Sequence, residues 1–177
     1  MTPSHRITLR GPFPRQQLDR LLRELAPLSR LTEPSHLVVD LTGLARIDAS
    51  SLAVLVSALH DVAERDLITD ESTILAPKNW LVARWLERMD VIRLLAGAAA
   101  PVEEFVRRED HAFCPCQTFT SLDELAALAT RLTGALSEAV QTDAASRFAT
   151  YFALNEIAEN VIEHARSSIG AIALAQV

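Results

Sequence analysis

The fold of the first half of the chain is decided by residues 38–59, VVDLTGLARIDASSLAVLVSAL. This stretch opens with a compact run of apolar and β-branched residues, which is typical of a buried strand. Its second half carries apolar residues at the spacing of a helix. Asp48, Ser50 and Ser51 lie between the two halves, and Asp and Ser are preferred at helix N-termini. The stretch therefore predicts a strand, a short loop and a helix, in that order.

Strand-like and helix-like segments alternate on either side of this stretch. We predict strands at residues 5–11 and 71–77, helices at 14–31 and 78–89, and a last short strand or extended piece at 90–97. Helices of this length between strands imply βα units. The chain is therefore expected to have an α/β fold, in which residues 1–100 form a first domain with a largely parallel or mixed sheet covered by helices.

The segment 101–117 has the composition of a linker. It contains Pro101, a run of charged residues and a further proline within the sequence FCPCQ. The spacing of Cys114 and Cys116 in that sequence differs from zinc and redox motifs, and with His111 they remain one ligand short of a metal site. We interpret them as two reduced thiols in the linker.

Residues 118–177 contain two helical patterns followed by a strand pattern. Ser121 and Glu124 form a capping box at the start of the first helix. Asp143 is the expected N-cap of the second helix, which should end near Arg166. The apolar run AIALAQV after this helix predicts a strand.

This C-terminal strand needs a partner, because unpaired backbone groups and uncovered apolar side chains are costly. It could pack on the first domain, pair across a dimer, or be completed by a natural chain that continues past Val177, and we favour the last. The second domain is therefore expected to be truncated at its C-terminus.

The composition limits the classes of function. The formal net charge is −6 and the pI is near 5.3, and the sequence has no basic stripe to neutralise phosphates, so direct binding to nucleic acid is not expected. The N-terminus lacks the apolar segment of a secretory signal, and no apolar run approaches the roughly 20 residues that span a bilayer. We therefore expect a cytoplasmic protein that does not contact a membrane.

Ser50 lies where unpaired N–H groups and the helix dipole favour a phosphate, although helix capping alone also explains a serine there. The stretch at 38–59, with LVARWLERMDVIRLL at 81–95, resembles the STAS domain of anti-sigma factor antagonists. In that family the serine that opens the helix is phosphorylated by a partner kinase. The resemblance implies a STAS-like mixed sheet with helices, Ser50 as the phosphorylation site and Ser51 as the fallback acceptor. Glycines of the family motif are replaced here by Ser51 and Ala53.

The helix predicted to follow Asp143 carries a polar row. Glu156, Asn160 and His164 are four residues apart and project from one face. An Asn oxygen can bind Mg²⁺ that also takes phosphate oxygens, and a Glu can orient or deprotonate an attacking group. The same spacing also occurs on ordinary solvent-facing helices. The apolar residues of the helix are expected to form one buried stripe: Leu154, Ile157, Ala158, Val161 and Ala165.

Residues 147–177, RFATYFALNEIAENVIEHARSSIGAIALAQV, resemble the N-box region of GHKL-type ATPases, specifically the histidine-kinase-like domain of anti-sigma factor serine kinases. The resemblance covers 118–177 and implies a partial Bergerat-type α+β segment of two helices and a strand. It implies that Asn160 is a Mg²⁺ ligand, Glu156 the catalytic base or water-positioning residue, and His164 a further cofactor-binding residue. The family's adenine-binding Asp-x-Gly-x-Gly segment and glycine-rich lid do not occur in this sequence. ATP and Mg²⁺ are therefore expected only if the natural chain is longer.

The two resemblances support each other, because STAS proteins and GHKL serine kinases act together in partner switching. They imply a bacterial signalling regulator that acts by protein–protein interaction, with partners of the anti-sigma or serine kinase/phosphatase type. The ATP-binding module is incomplete, so the 177-residue chain is not expected to be an active kinase. Two alternatives stay open: a longer, active ATPase or serine kinase with the STAS domain as sensor, and a scaffold in which both sites have decayed. The sequence also leaves open whether the protein forms a homodimer.

Overall fold

The first half of the chain alternates strands and helices, as the sequence predicts. The computed structural model describes residues 2–91, 113–165 and 170–176, and the chain divides into unit 1, Met1–Phe105, and unit 2, Val106–Val177. The elements of unit 1 are β1 (Ser4–Phe13), α1 (Leu18–Leu25), β2 (His36–Ile47), α2 (Ala49–Glu64), β3 (Thr73–Leu75) and α3 (Trp80–Arg88), with 3₁₀ turns at Arg15–Gln17 and Leu28–Arg30. The elements of unit 2 are β4 (Phe113–Phe119), α4 (Leu122–Val140), α5 (Ala144–Ala165) and β5 (Ala171–Gln176).

The described strands of unit 1 form a parallel sheet in the order β1-β2-β3. Ile7 of β1 is opposite Val39 of β2, and Val39 is opposite Ile74 of β3. Because parallel strands need a crossover between them, α1 and α2 are the connections that the sheet requires. The predicted α/β class is therefore confirmed, and the described strands of unit 1 are all parallel.

Strands β1 and β2 present different residue types on their two faces. In β1, the buried residues Ile7 and Leu9 alternate with the exposed residues Arg6 and Arg10. Successive side chains of a strand point to opposite faces, so one face of the sheet belongs to the core and the other is polar. Helix α1 packs against β1 and against α2. The last predicted strand, at 90–97, lies outside the described residues from position 92 onward.

Unit 2 has two helices and an antiparallel pair of strands. Its buried cluster consists of residues from β4, α4 and α5: Phe119, Leu125, Leu128, Leu132 and Ala158. The predicted caps are confirmed, because the hydroxyl of Ser121 accepts from the N–H of Glu124 at 3.4 Å and the carboxylate of Asp143 accepts from the N–H of Ser146 at 2.7 Å. Glu124 in turn accepts from the N–H of Thr120 at 2.8 Å, one residue before the expected position.

The C-terminal strand has a partner within unit 2 that the sequence pattern does not reveal. β5 pairs antiparallel with β4, with Phe119 opposite Ala171, so the prediction that residues 113–117 belong to a linker is wrong. The proline between the two cysteines suggests a linker, but the pairing has a register shift between Cys114 and Gln117 that accommodates it. Cys116 is consequently a buried residue of a strand and not a residue of a linker. Residues 101–112 lie outside the described part of the chain.

Candidate functional site

The first candidate site is the loop between β2 and α2. Phe13 and Ile47 are opposite each other at the ends of β1 and β2, so the loops that follow both strands leave the sheet at the same edge. The N–H of Asp48 donates to the carbonyl of Phe13 at 3.4 Å. The carboxylate of Asp48 accepts from the N–H of Ser51 at 2.9 Å and from the N–H of Arg15. Asp48 is therefore the N-cap of α2 and also holds the loop after β1.

The charge of this carboxylate is stabilised by its surroundings. Partial burial acts to raise the pKa of Asp48, but hydrogen bonds from the Ser51 and Arg15 N–H groups outweigh burial, and the nearby charge of Arg46 adds to them. The net effect is a pKa below the ordinary value of 3.8. A fixed negative charge therefore lies at the start of α2. It repels any further anion that is placed at this helix N-terminus.

The two candidate phosphorylation sites differ in exposure. Ser50 is exposed at the second residue of α2, whereas Ser51 has an exposed fraction of 0%. An amphipathic helix turns by about 100° per residue, so adjacent residues in the first turn face different surroundings. An enzyme can reach the hydroxyl of Ser50 in this conformation, and that of Ser51 is covered.

The second candidate site is the polar row on α5. Glu156 and Asn160 are both exposed and lie one turn apart on the face opposite the buried Ala158. The side-chain amide of Asn160 donates to the backbone carbonyl of Glu156 at 2.8 Å. That bond uses one of the two N–H donors of the amide, and the amide oxygen is the atom that could bind a cation. The third member of the row, His164, has its backbone in α5, but its side chain is outside the described residues.

The buried stripe of α5 differs from the one predicted. Leu154, Ala158 and Ile162 face the core of unit 2, whereas Ile157 is 63% exposed and Val161 is half-buried. The prediction that Ile157 is buried is therefore wrong. Residues at a spacing of four lie almost above one another, and Ile157 is turned about 100° away from Ala158.

The residues on α5 do not suffice to hold Mg²⁺ and ATP. Asn160 could supply one oxygen of an octahedral site. Within the parts of the chain that the structure describes, however, no group of three or more His, Cys, Asp or Glu side chains is placed to hold a metal ion. A nucleotide site on α5 therefore needs residues besides Glu156 and Asn160.

Some features of the two units were not predicted from the sequence. Asp40 of β2 is 2% exposed and forms an ion pair with Arg6 of β1. A carboxylate within the apolar run of β2 was a signal for such a pair, because a buried charge needs a partner.

On α5, Phe148 and Phe152 are 70% and 57% exposed. Their spacing of four residues indicated only that they share a face.

Comparisons with known proteins give this chain no relative. No family model, no curated protein and no solved structure matches it. Over residues 2–91, 113–165 and 170–176, none of the helices has both the length and the apolar character needed to cross a membrane.

Proposed function

We propose that the protein is a bacterial, cytoplasmic partner-switching regulator that acts through protein–protein interaction. In this proposal unit 1 is a STAS-like module with Ser50 as its phosphorylation site. The partners are proteins of the anti-sigma or serine kinase/phosphatase type, without direct contact to nucleic acid or membrane. The proposal rests on the resemblance of residues 38–59 to the STAS motif and on one structural observation. That observation is the exposure of Ser50, beside a covered Ser51, at the first turn of α2.

The surroundings of Ser50 give a physical basis for a switch. A phosphoserine carries a charge of about −1.5 to −2 near neutral pH. The N-terminus of a helix attracts that charge, but the carboxylate of Asp48, two residues away, repels it. Because the same carboxylate holds the N–H groups of Ser51 and Arg15, repulsion acts on the start of α2 and on the loop after β1 together. Phosphorylation would therefore change the surface that a partner contacts.

The proposal is tested by phosphorylation in vitro. The purified protein is incubated with Mg²⁺–ATP and a serine kinase of the anti-sigma factor type, and the modified residue is mapped by tandem mass spectrometry. We expect phosphate on Ser50, loss of labelling in Ser50→Ala and retention in Ser51→Ala. Labelling that persists in Ser50→Ala and disappears in Ser51→Ala would contradict the assignment. Absence of phosphate from both residues would favour the scaffold alternative.

For unit 2 we propose a serine-kinase-like ATP-binding module that is incomplete in this chain. The support is the resemblance of residues 147–177 to an N-box and the exposure of Glu156 and Asn160 one turn apart. In this proposal Asn160 is the Mg²⁺ ligand, Glu156 the catalytic base and His164 a further residue of the nucleotide site. The alternative of an active ATPase or serine kinase, with the STAS-like unit as sensor, applies if the natural chain is longer.

Two asparagines of α5 provide a matched pair for the nucleotide hypothesis. Asn155 donates its side-chain amide to the carbonyl of Tyr151 at 2.9 Å, just as Asn160 does to Glu156, but Asn155 is half-buried. In a natural chain that continues past Val177, we expect Asn160→Ala to weaken Mg²⁺–ATP binding by roughly tenfold or more and Asn155→Ala to leave it nearly unchanged. Fluorescence titration with a labelled ATP analogue measures both. Equal binding by wild type and Asn160→Ala would remove Asn160 from the site.

A further inference from the structure

Positive charge is concentrated near the start of this acidic chain. Residues 1–47 contain seven arginines and four carboxylates, whereas residues 48–177 contain ten basic residues and nineteen carboxylates. Three of the early arginines, Arg6, Arg10 and Arg46, are on the strands β1 and β2. The sheet of unit 1 therefore carries part of this positive charge.

These arginines are exposed on the sheet while the apolar residues of the same strands are buried. We call the surface made by Arg6, Arg10, Pro12, Gly43 and Arg46 the open face. All five are exposed, and in the parallel register Arg10 is opposite Gly43 and Pro12 is opposite Arg46. The offset between Arg10 and Arg46 is two residues along β1 and three along β2, which at about 3.3 Å per residue is roughly 7–10 Å along the sheet. Carboxylates on an extended peptide can match that separation.

Asp40, a carboxylate beside the open face, has its binding capacity occupied. Asp40 accepts from the guanidinium of Arg6, and from both the N–H and the hydroxyl of Thr42, at 3.0 and 2.6 Å. It is 2% exposed, so it balances the charge of Arg6 from within and is not presented to solvent. Arg46 also lies near the carboxylate of Asp48, but that carboxylate accepts from the N–H groups of Ser51 and Arg15. Arg10 and Arg46 are therefore the arginines of the open face that a partner would meet.

Gly43 allows Arg10 to lie along the sheet. A Cβ atom at residue 43 would be 2.8 Å from Cγ and 3.3 Å from Cβ of Arg10, which is closer than such atoms normally approach. Arg20 adds charge at the adjoining edge, where its guanidinium lies 4.6 Å from the centre of the Phe13 ring and donates to the carbonyl of Arg10 at 2.5 Å. The two contacts of Arg20 restrict its side chain, so less entropy is lost if that side chain binds a ligand.

We propose that the open face is a docking surface for an acidic segment of a partner protein. Arginine binds carboxylates through a planar fork and is well suited to such contacts. A protein segment fits better than a nucleic acid, because the arginines occupy a short stretch of the sheet and the rest of the chain has an excess of negative charge that repels a long polyanion. This inference does not depend on phosphorylation of Ser50, so either can fail without the other.

The experiment compares a patch variant with a charge-matched control in the 177-residue protein. The patch variant is Arg10→Gln/Arg46→Gln. The control is Arg23→Gln/Arg30→Gln, whose residues are also exposed but lie on α1 and the second 3₁₀ turn. The probe is a fluorescein-labelled peptide of repeated Glu-Ala pairs, measured by anisotropy at low salt. We expect the patch variant to bind roughly fivefold more weakly or worse, and the control to stay within about twofold of wild type.

Further arms of the experiment identify the ligand class and the place of binding. A peptide of repeated Gln-Ala pairs should not bind, and the backbone amide signals of Thr8 and Gly43 should shift in an NMR titration with the Glu-Ala peptide. Arg10→Lys/Arg46→Lys keeps the charge but loses the planar fork, so it should restore only part of the affinity. Equal loss in patch and control variants would overturn the proposal, as would absence of Glu-Ala binding. Tighter binding of a single-stranded oligonucleotide of equal charge would replace it with a nucleic-acid surface.

Discussion

The carboxylate of Asp48 accepts a hydrogen bond from the backbone N–H of Arg15, thirty-three positions earlier in the chain. Its other oxygen accepts from the N–H of Ser51, in the first turn of α2. One side chain therefore fixes the start of α2 relative to the loop that follows β1. The same side chain lies two residues before the exposed Ser50.

Replacing Asp48 should destabilise unit 1 by more than an ordinary surface change. Asp48→Ala removes a helix cap and leaves the N–H of Arg15 without its acceptor, so we expect a loss of about 1–3 kcal/mol in the free energy of unfolding. Asp61→Ala is the control on the same helix, because Asp61 forms an exposed pair with Arg65 and should cost about 0.5 kcal/mol. Urea unfolding followed by tryptophan fluorescence measures both. Equal losses would show that the Asp48 contacts contribute little.

The stability of unit 1 should depend on the ionisation of Asp40. Hydrogen bonds from the Thr42 side chain, and then from Arg6, hold the pKa of Asp40 well below its ordinary value of 3.8. The unfolded chain therefore binds the proton more readily, so the stabilisation is complete above pH 3.8 and is lost as the pH falls toward the folded pKa. Asp40→Asn should be less stable than wild type near neutral pH, and the difference should shrink in acid. A difference that stays constant down to about pH 3 would contradict this linkage.

Two glycines of unit 2 should respond in opposite directions to alanine. Gly170 has a φ of +67°, and a Cβ there would be 2.3 Å from the carbonyl oxygen of Phe119, so Gly170→Ala should cost about 2 kcal/mol or more. Gly134 is exposed on α4, and a methyl group added there would meet no atom within 4 Å, so Gly134→Ala should gain about 0.5–1 kcal/mol. Thermal unfolding followed by circular dichroism compares them. A destabilised Gly134→Ala would mean that this face of α4 is covered.

Two isoleucines of α5 distinguish the buried face from the exposed one. Ile162 packs on the core of unit 2 and Ile157 is 63% exposed. Ile162→Ala should therefore cost roughly 1–2 kcal/mol and Ile157→Ala about 0.5 kcal/mol or less. Amide hydrogen exchange of α4 and α5 reports the change within unit 2 itself. If Ile157→Ala lost more free energy of unfolding than Ile162→Ala, Ile157 would be buried, as the sequence pattern predicts.

The sequence by itself determined the local structure, because capping, turn geometry and the hydrophobic period act over a few residues. Asp48, Ser121 and Asp143 begin the helices at which the capping rules place them. The alternation of strands and helices in residues 1–89 predicted a largely parallel or mixed sheet, since helical crossovers between neighbouring strands favour parallel order. The four-residue spacing of Glu156 and Asn160 likewise ensured that they share a face of one helix.

The tertiary structure alone decided what each of these elements contacts. Ile157 and Ala158 were neighbouring apolar residues in the pattern, and only packing within the cluster of unit 2 placed the smaller Ala158 in the core. Strand β5 acquired its partner from a segment that contains a proline, because pairing depends on chains far apart in sequence. Of the two serines at the start of α2, the fold covered Ser51 and exposed Ser50. Burial depends on contacts throughout the packed unit, so no short stretch of sequence determines it.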